Sequence, residues 1–498
     1  MSRHVGRVLV VLLAAVGLLG TACTNAQQNT SGKFNGVTIR VVTFTGPQIA
    51  EPLQRRAPEF NKATGAKVEV VTVPFSDLYQ KILTDFSTKT NSYDAMVFDP
   101  QWMGDYVTPG YLEDLSDRVT KDSSLEWNDV GAFFRDFSAT YKGKVYTIPL
   151  DGDFQMVYYR KDLLQRDGLQ PPKTWDDYIT IARKYQGKDL NGDGKPDFGS
   201  CIAMKRSAQS YWMYLSVAAA FLQTKGTSQG AFFSTDNLQP LMNNAGAAAA
   251  LDIYKQMSKL GPPDQLNNDV GDSRGFFVSG RCALSLDWGD IGPLTVDKSQ
   301  STVQDKVGAV ILPGSKRVLD RATGSLVDCN ATTCPNAIDG VNHAPFAAFG
   351  GWSGAINKAR PGNVKDAAFA FLSYVSAPAQ SSLDVTIGKT GFNPYRASHF
   401  NNLDAWKKSG MSDQAAKDYL GAIQSSLKSP NMVLDLRIQQ SAFYEGTALD
   451  QALAQFLAGE LTREQTMAQI TNQWNSKTDE IGRQIQLDAY KASLNVSR

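Results

Sequence analysis

Histidine is nearly missing from this chain. There are three in 498 residues, His4, His343 and His399, so chemistry built on several imidazoles is excluded. A surplus of either charge is missing too. Lys and Arg number 50 against 49 Asp and Glu, a formal net charge of +1. No basic face is implied, and nucleic acid is not expected as a partner. No Walker loop and no dinucleotide fingerprint occurs, so no catalytic cofactor is expected. Cysteines are few, five in all. The apolar run Val8–Leu19, "VLVVLLAAVGLL", is about twelve residues and too short to span a bilayer as a helix.

That short run is nevertheless informative. Arg3, His4 and Arg7 precede it and "GTAC" follows, ending at Cys23. A charged start, a short apolar stretch and small residues before a Cys make residues 1–22 a signal peptide. The ending resembles a bacterial lipobox, in which the Cys is diacylated. Gly20 departs from that pattern, standing where Leu is usual. The competing reading is an ordinary cleaved leader. Residues 23–33, polar and small, suit a flexible tether from a membrane surface to a globular body.

Four cysteines remain: Cys201, Cys282, Cys329 and Cys334. An even count in an exported chain favours disulfides. Three pairings can be drawn. The short spacing of Cys329 and Cys334 favours a local bridge, which leaves Cys201 with Cys282. Free buried thiols are the alternative.

The length predicts two or three lobes. "GVTIRVVTF" at Gly36–Phe44, "AKVEVVTVPF" and "YDAMVFD" at Tyr93–Asp99 read as strands. Helical spacing separates them, one helix closed by Gly65 and the next opened by Ser76. Strand and helix in alternation predict an α/β fold with a parallel sheet. Ligands of such sheets sit in loops beyond the strand ends, here Thr45 and Asp99 to Trp102.

The tract "FNKATGAKVEVVTVPFSDLYQKI…YDAMVFDPQWMGDYVTPGYLEDLS" resembles a known family. So do "GKVYTIPLDGDFQMVYYRKDLL", "GRCALSLDWGD", "FGGWSGAINKARPGNVKDAAFAFLSYVSAP" and "QQSAFYEGTALDQALAQFLAGELTREQTMAQITNQWN". The family is the carbohydrate-binding lipoproteins of ABC importers, the family 1 extracellular solute-binding proteins that include maltose-binding protein. The resemblance implies a two-lobed periplasmic-binding-protein-like fold of type II, with a ligand cleft between the lobes. It places the first lobe at residues 34–150 and 307–360 and the second at 151–306 and 361–498. It implies a monomer held at the outer face of the cytoplasmic membrane. The implied partners are a sugar or oligosaccharide and the membrane subunits of an ABC permease. The segment 314–344 is longer than expected and reads as a decorated loop near the cleft.

A pyranose has apolar C–H faces and a rim of hydroxyls. Aromatic planes cover the faces, and charged or amide groups bond the rim more strongly than neutral ones do. Segments with an aromatic beside a carboxylate or amide are therefore candidates. They give Asp99, Gln101 and Trp102; Asp151 with Asp153; Tyr211 and Trp212 after Gln209; Asp287 and Trp288 before Asp290; Trp352; Arg396 with Asn393; and Tyr444 beside Glu445. Trp102 or its neighbours, Tyr211 or Trp212, Trp288 and Tyr444 match tracts that supply sugar contacts in the family. Phe154 and Tyr395 read as structural. More acidic and amide groups than basic ones favour a neutral ligand; Arg396 and Lys205-Arg206 leave an anionic one open, such as a glycerophosphodiester. A polyol is a further alternative.

Other functions leave traces as well. "GTSQG" at Gly226–Gly230 matches a nucleophile elbow, but it needs a strand before and a helix after, and the flanking patterns read in the reverse order. A glycosidase needs two facing carboxylates, which Asp151, Asp153, Asp287 and Asp290 can supply. A lipoprotein with no small ligand is a third class. Finally, "DLNGDGKPD" places Asp189, Asn191 and Asp193 at positions 1, 3 and 5 of a calcium loop, with Lys195 at 7 and Asp197 at 9. Ser200 stands where an EF-hand has Glu, and a strand pattern follows. The expectation is a structural calcium site or, failing that, an acidic turn capped by its own side chains.

Overall fold

The computed structural model describes residues 32–348, 350–388 and 390–496. The leader, Cys23 and most of the tether lie outside them. Strands β1 (Thr38–Phe44), β2 (Lys67–Val73) and β3 (Ala95–Phe98) pair in parallel, with helices α1 (Pro47–Thr64) and α2 (Phe75–Ser87) between them. The β-branched runs form the strands because such side chains pack well on a pleated surface. Gly65 ends α1 at a φ of 84°, left-handed backbone that favours glycine. Ser76 does not open α2: the helix begins at Phe75, and the Ser76 hydroxyl donates to Asp77.

Further strands are β4 (Ile148–Pro149), β5 (Met156–Arg160), β6 (Phe198–Cys201), β7 (Cys282–Asp287), β8 (Val307–Ile311) and β9 (Ser353–Ile356). They build two separate sheets, ordered β2-β1-β3-β9-β4 and β8-β5-β7-β6. Both sheets are mixed. β9 runs antiparallel to β3 and β4, and β5 runs antiparallel to β7 and β8. The chain is thus two α/β lobes, each with its own sheet, and the segment from Leu150 to Gln155 crosses between them.

The lobe boundaries differ from those expected. Val307–Ile311 is an edge strand of the second sheet, not part of the first lobe. Helix Gly362–Ser376 packs on α1, β1, β4 and β9, so it belongs to the first lobe. The chain returns to the second lobe with helix Asp413–Leu427, which lies against β8. Later helices cover the second lobe.

Helix Ser210–Leu222 is buried along its whole length. A helix apolar all round belongs in a core. Segment 314–344 folds onto its far end rather than over the cleft. A hairpin of Arg317–Leu319 and Leu326–Asp328 packs there. Arg321 donates to the carbonyls of Leu222, Gln229 and Gly230, and Asn342 donates to those of Ala220 and Gln223. These donors satisfy carbonyls that the helix end leaves open. The bridge Cys329–Cys334 closes within this segment, and Cys201–Cys282 joins β6 to β7. Among the described residues no helix is long and apolar enough to cross a membrane.

Candidate functional site

The two lobes meet around an inner cavity of about 40 Å³. Phe44, at the end of β1, and Phe75, opening α2, enter from the first lobe, as does Trp352 before β9. Trp212, near the start of the buried helix, and Trp288, just after β7, enter from the second. The rings run in sequence across the boundary. Phe44 and Trp352 have centroids 4.8 Å apart, Phe75 and Trp352 6.2 Å, Phe75 and Trp212 5.9 Å, and Trp212 and Trp288 5.8 Å.

Charged groups line the same cavity. Asp151 and Asp153 stand on the crossing segment. Arg274, on helix Val270–Val278, donates to Asp287 at 2.7 Å and to Asp290 at 2.8 Å. Asn393 comes from the first-lobe side. Its backbone N–H donates to Asp151 at 2.5 Å and its side-chain amide to Asp153 at 3.0 Å. Gly289 allows this approach: a Cβ there would lie 2.1 Å from Asn393 Oδ1. All four carboxyls are buried. Burial raises Asp151 to about 7, and burial, then the neighbouring Asp151 and Asp290, raise Asp153 well above the ordinary carboxylate value. The Asp151 and Asp153 carboxyls hydrogen-bond each other, so the pair holds a proton. Burial also raises Asp287, to about 6, against the pull of Arg274. Burial works against the charge of Arg274, but Asp287 and Asp290 outweigh it and hold the guanidinium charged.

Beside the inner cavity lies a wider one of about 730 Å³. Phe75 lines both. Tyr79, Trp102 and Asp105 form its first-lobe wall, and Tyr211, Gln440 and Phe443 its second-lobe wall. Beneath it Asp99, Asp435 and Glu445 are buried together. Burial and then Asp435 raise both Asp99 and Glu445 well above the carboxylate range. The Trp212 indole N–H donates to Asp435 at 2.9 Å.

Of the residues expected at the site, Asp151, Trp212, Trp288 and Trp352 line the inner cavity, and Trp102 and Tyr211 the outer one. Asp287 lines neither and supports the inner one through Arg274. Asp99 and Gln101 stand behind Trp102: Asp99 caps the short turn Pro100–Trp102, and the Gln101 side chain donates to it. Thr45 is exposed, and its neighbour Phe44 faces the cavity instead. Tyr444 is buried among Phe233 and Trp474 with its hydroxyl held by Thr478 and Gln486. Arg396 is buried in the first lobe, donating to the carbonyls of Ser376, Leu125 and Glu126. Both are therefore framework residues, as Phe154 and Tyr395 are. Arg274, Phe75 and Gln48 were not anticipated.

The acidic loop is built as a turn. Asp189 accepts from the N–H groups of Gly192 and Gly194, Asn191 from that of Asp193, and Asp193 from that of Lys195. Asp197 is turned away, pairing with Arg281 at 3.0 Å and accepting from Leu190 N–H. Asp197 thus anchors the turn to Arg281 and Leu190. Among the described residues no group of three or more His, Cys, Asp or Glu is arranged to hold a metal ion.

The family model described as "Bacterial extracellular solute-binding protein" matches residues 46–381, more than half of the chain. The chain is 28% identical to a mannitol-binding protein of Pseudomonas aeruginosa, over 50% of this chain and 54% of that protein. It is 27% identical to an erythritol/L-threitol-binding protein of Mycolicibacterium smegmatis, over 55% and 63%. The chain thus spans about half to two thirds of the length of these curated relatives. Among solved structures, a solute-binding protein of Agrobacterium radiobacter K84 in complex with ribitol superposes with a TM-score of 0.70 at 22% identity, covering 89% of this chain and 99% of that one. The maltose-bound MalE3 of T. maritima gives 0.68 at 20% identity, covering 89% and 100%. These likenesses carry the two-lobed fold.

Proposed function

From the premise that the chain belongs to the bacterial extracellular solute-binding proteins, we propose that it captures a sugar or sugar alcohol between its lobes and hands it to the permease of an ABC importer. One observation supports this above others: aromatic faces from both lobes and buried carboxyls converge on one cavity. Rings cover C–H faces, and carboxyls accept from hydroxyls. Relatives named for mannitol and for erythritol or threitol fit that chemistry. The inner cavity of about 40 Å³ holds a few waters, since one needs roughly 10–15 Å³. Ligand therefore enters an opened form, and contact with both walls drives closure. The outer cavity admits further units of an oligosaccharide. The closed protein presents paired lobe surfaces to the permease as a monomer and acts by binding without turnover.

Calorimetry over sugar alcohols, monosaccharides and oligosaccharides tests the reading. Saturable binding with the ligand recovered unchanged is expected. Silence across the set overturns it, and a hydrolysed product replaces it with a glycosidase. We place the protein at the outer membrane face through a lipid on Cys23. Cys23→Ala should move it to the soluble fraction, and retention in washed membranes would refute the anchor.

A further inference from the structure

The inner cavity is short of positive charge. Asp151, Asp153 and Asp290 line it with Asp287 behind Arg274, and Arg274 is the cation in its lining. Each of its three nitrogens donates to Asp287 or Asp290. Tyr158 and Tyr419 also face these carboxyls and add no positive charge. The Asn393 side chain is 1% exposed, and its amide nitrogen is used on Asp153 and on the Gly391 carbonyl. Its Oδ1 accepts from no donor among the described residues. Gln209 lines the cavity, and its buried Oε1 likewise has no donor. Unmet acceptors thus stand beside carboxyls in excess.

Buried acceptors without donors carry a desolvation cost, and buried carboxylates without a countercharge carry a larger one. In the free protein burial favours the protonated form of Asp151, raised to about 7, and of Asp153. A hydroxyl brings one donor and its own lone pairs. An ammonium brings three donors, no acceptor and the missing charge. Trp288, Trp352 and Trp212 supply faces that favour a cation as well as a C–H surface.

We infer that the cavity selects a ligand carrying a basic amine, an amino sugar or amino alditol, whose ammonium sits among Asp151, Asp153, Asp290 and Asn393. This rests on the reading above and narrows its ligand class. The ammonium forms charge-assisted bonds to the carboxylates and donates to Asn393 Oδ1. Binding then expels carboxyl protons, so affinity rises with pH through the range in which Asp151 and its partner titrate, until the amine itself loses its proton.

Matched pairs test this by calorimetry near neutral pH: 1-amino-1-deoxy-D-glucitol against D-glucitol, and D-glucosamine against D-glucose and N-acetyl-D-glucosamine. At least one amine should bind about tenfold or more tighter than its neutral parent, and N-acetylation should erase the gain. Buffers of different ionisation enthalpy should report protons released with the amine and not with the parent. Asp153→Asn should weaken the amine more than the parent. Equal or tighter binding of the neutral parent overturns the inference and leaves the sugar-binding reading standing. Failure of every compound, amines and neutral sugars alike, overturns both.

Discussion

The rings of Phe75 and Trp212 lie 5.9 Å apart with their planes at 58°, and the two residues belong to different lobes. This tilted contact joins the ring sequence of one wall to that of the other. Aromatic pairs in such arrangements are worth about 0.5–1.5 kcal/mol beyond the area they bury. This contact is one of several between the lobes, beside the bonds of Gln440 N–H to Asp105 and of Arg437 to the Phe137 and Thr140 carbonyls.

Trp288 should prove to be both a ligand contact and a packing residue. It is 2% exposed and packs on Trp212. Trp288→Ala should weaken ligand binding by roughly 1–3 kcal/mol, by analogy with ring stacking on other planar ligands. It should also lower stability by about 3–5 kcal/mol, as core tryptophans do. Calorimetry well below the melting temperature separates the effects; unchanged affinity there would assign Trp288 to packing alone.

Arg274→Met leaves Asp287 and Asp290 buried without their guanidinium. Breaking a buried pair on one side costs about 3–5 kcal/mol. The loss should be largest near neutral pH and smaller in acid, where Asp287, raised to about 6, takes up a proton and sheds its charge. Urea denaturation at two pH values measures this. A loss that does not depend on pH would show that the side chain matters for packing only.

Asp151 gives the free protein a pH response of defined sign. Its folded value, about 7, stands above the ordinary carboxylate value. The native state therefore binds the proton more tightly, and the stability this provides is lost as pH rises through about 7. His399, which burial lowers to about 3, acts in the opposite sense below its ordinary value. The clean window lies above about pH 6.5. There the melting temperature should fall as pH rises, and Asp151→Asn should flatten the slope. A flat wild-type profile in that window would refute the shared proton.

The turn from Asp189 to Asp197 should respond weakly to calcium. Its carboxyls and amide already accept backbone N–H groups, and Asp197 is committed to Arg281. Millimolar calcium should leave the melting temperature within about 1 °C, since a ligand that does not bind the native state adds no stability. A rise that Asp193→Ala abolishes would make the loop a cation site after all.

How far the sequence discloses this molecule depends on the range of the signal. Strands such as Thr38–Phe44 are written in consecutive β-branched residues, and α1 carries its own stop at Gly65. Trp288 and Asp151 are legible because each lies where a strand ends and a polar neighbour adjoins. Arg274 is not: it sits inside a helix, and its partners stand 13 and 16 residues on, beyond any local pattern. Tyr444 and Arg396 mislead for the converse reason. An aromatic or a cation beside polar residues looks alike in a cleft and in a core, and only the fold shows that Thr478 and the Ser376 carbonyl satisfy their polar tips. Phe75 is hidden at a helix start, where its side chain is free to face the opposite lobe.

The helix Ser210–Leu222 has a mechanical consequence. At about 1.5 Å per residue its thirteen residues form a rod some 20 Å long. Tyr211 and Trp212 ride at one end, while the extra segment grips the other through Arg321 and Asn342. A rod with no exposed face cannot bend without opening the core around it, so a push at either end travels as a shift of the whole. The added segment is in this sense a handle on the aromatic pair: whatever leans on that outer surface leans, at a distance, on Tyr211 and Trp212.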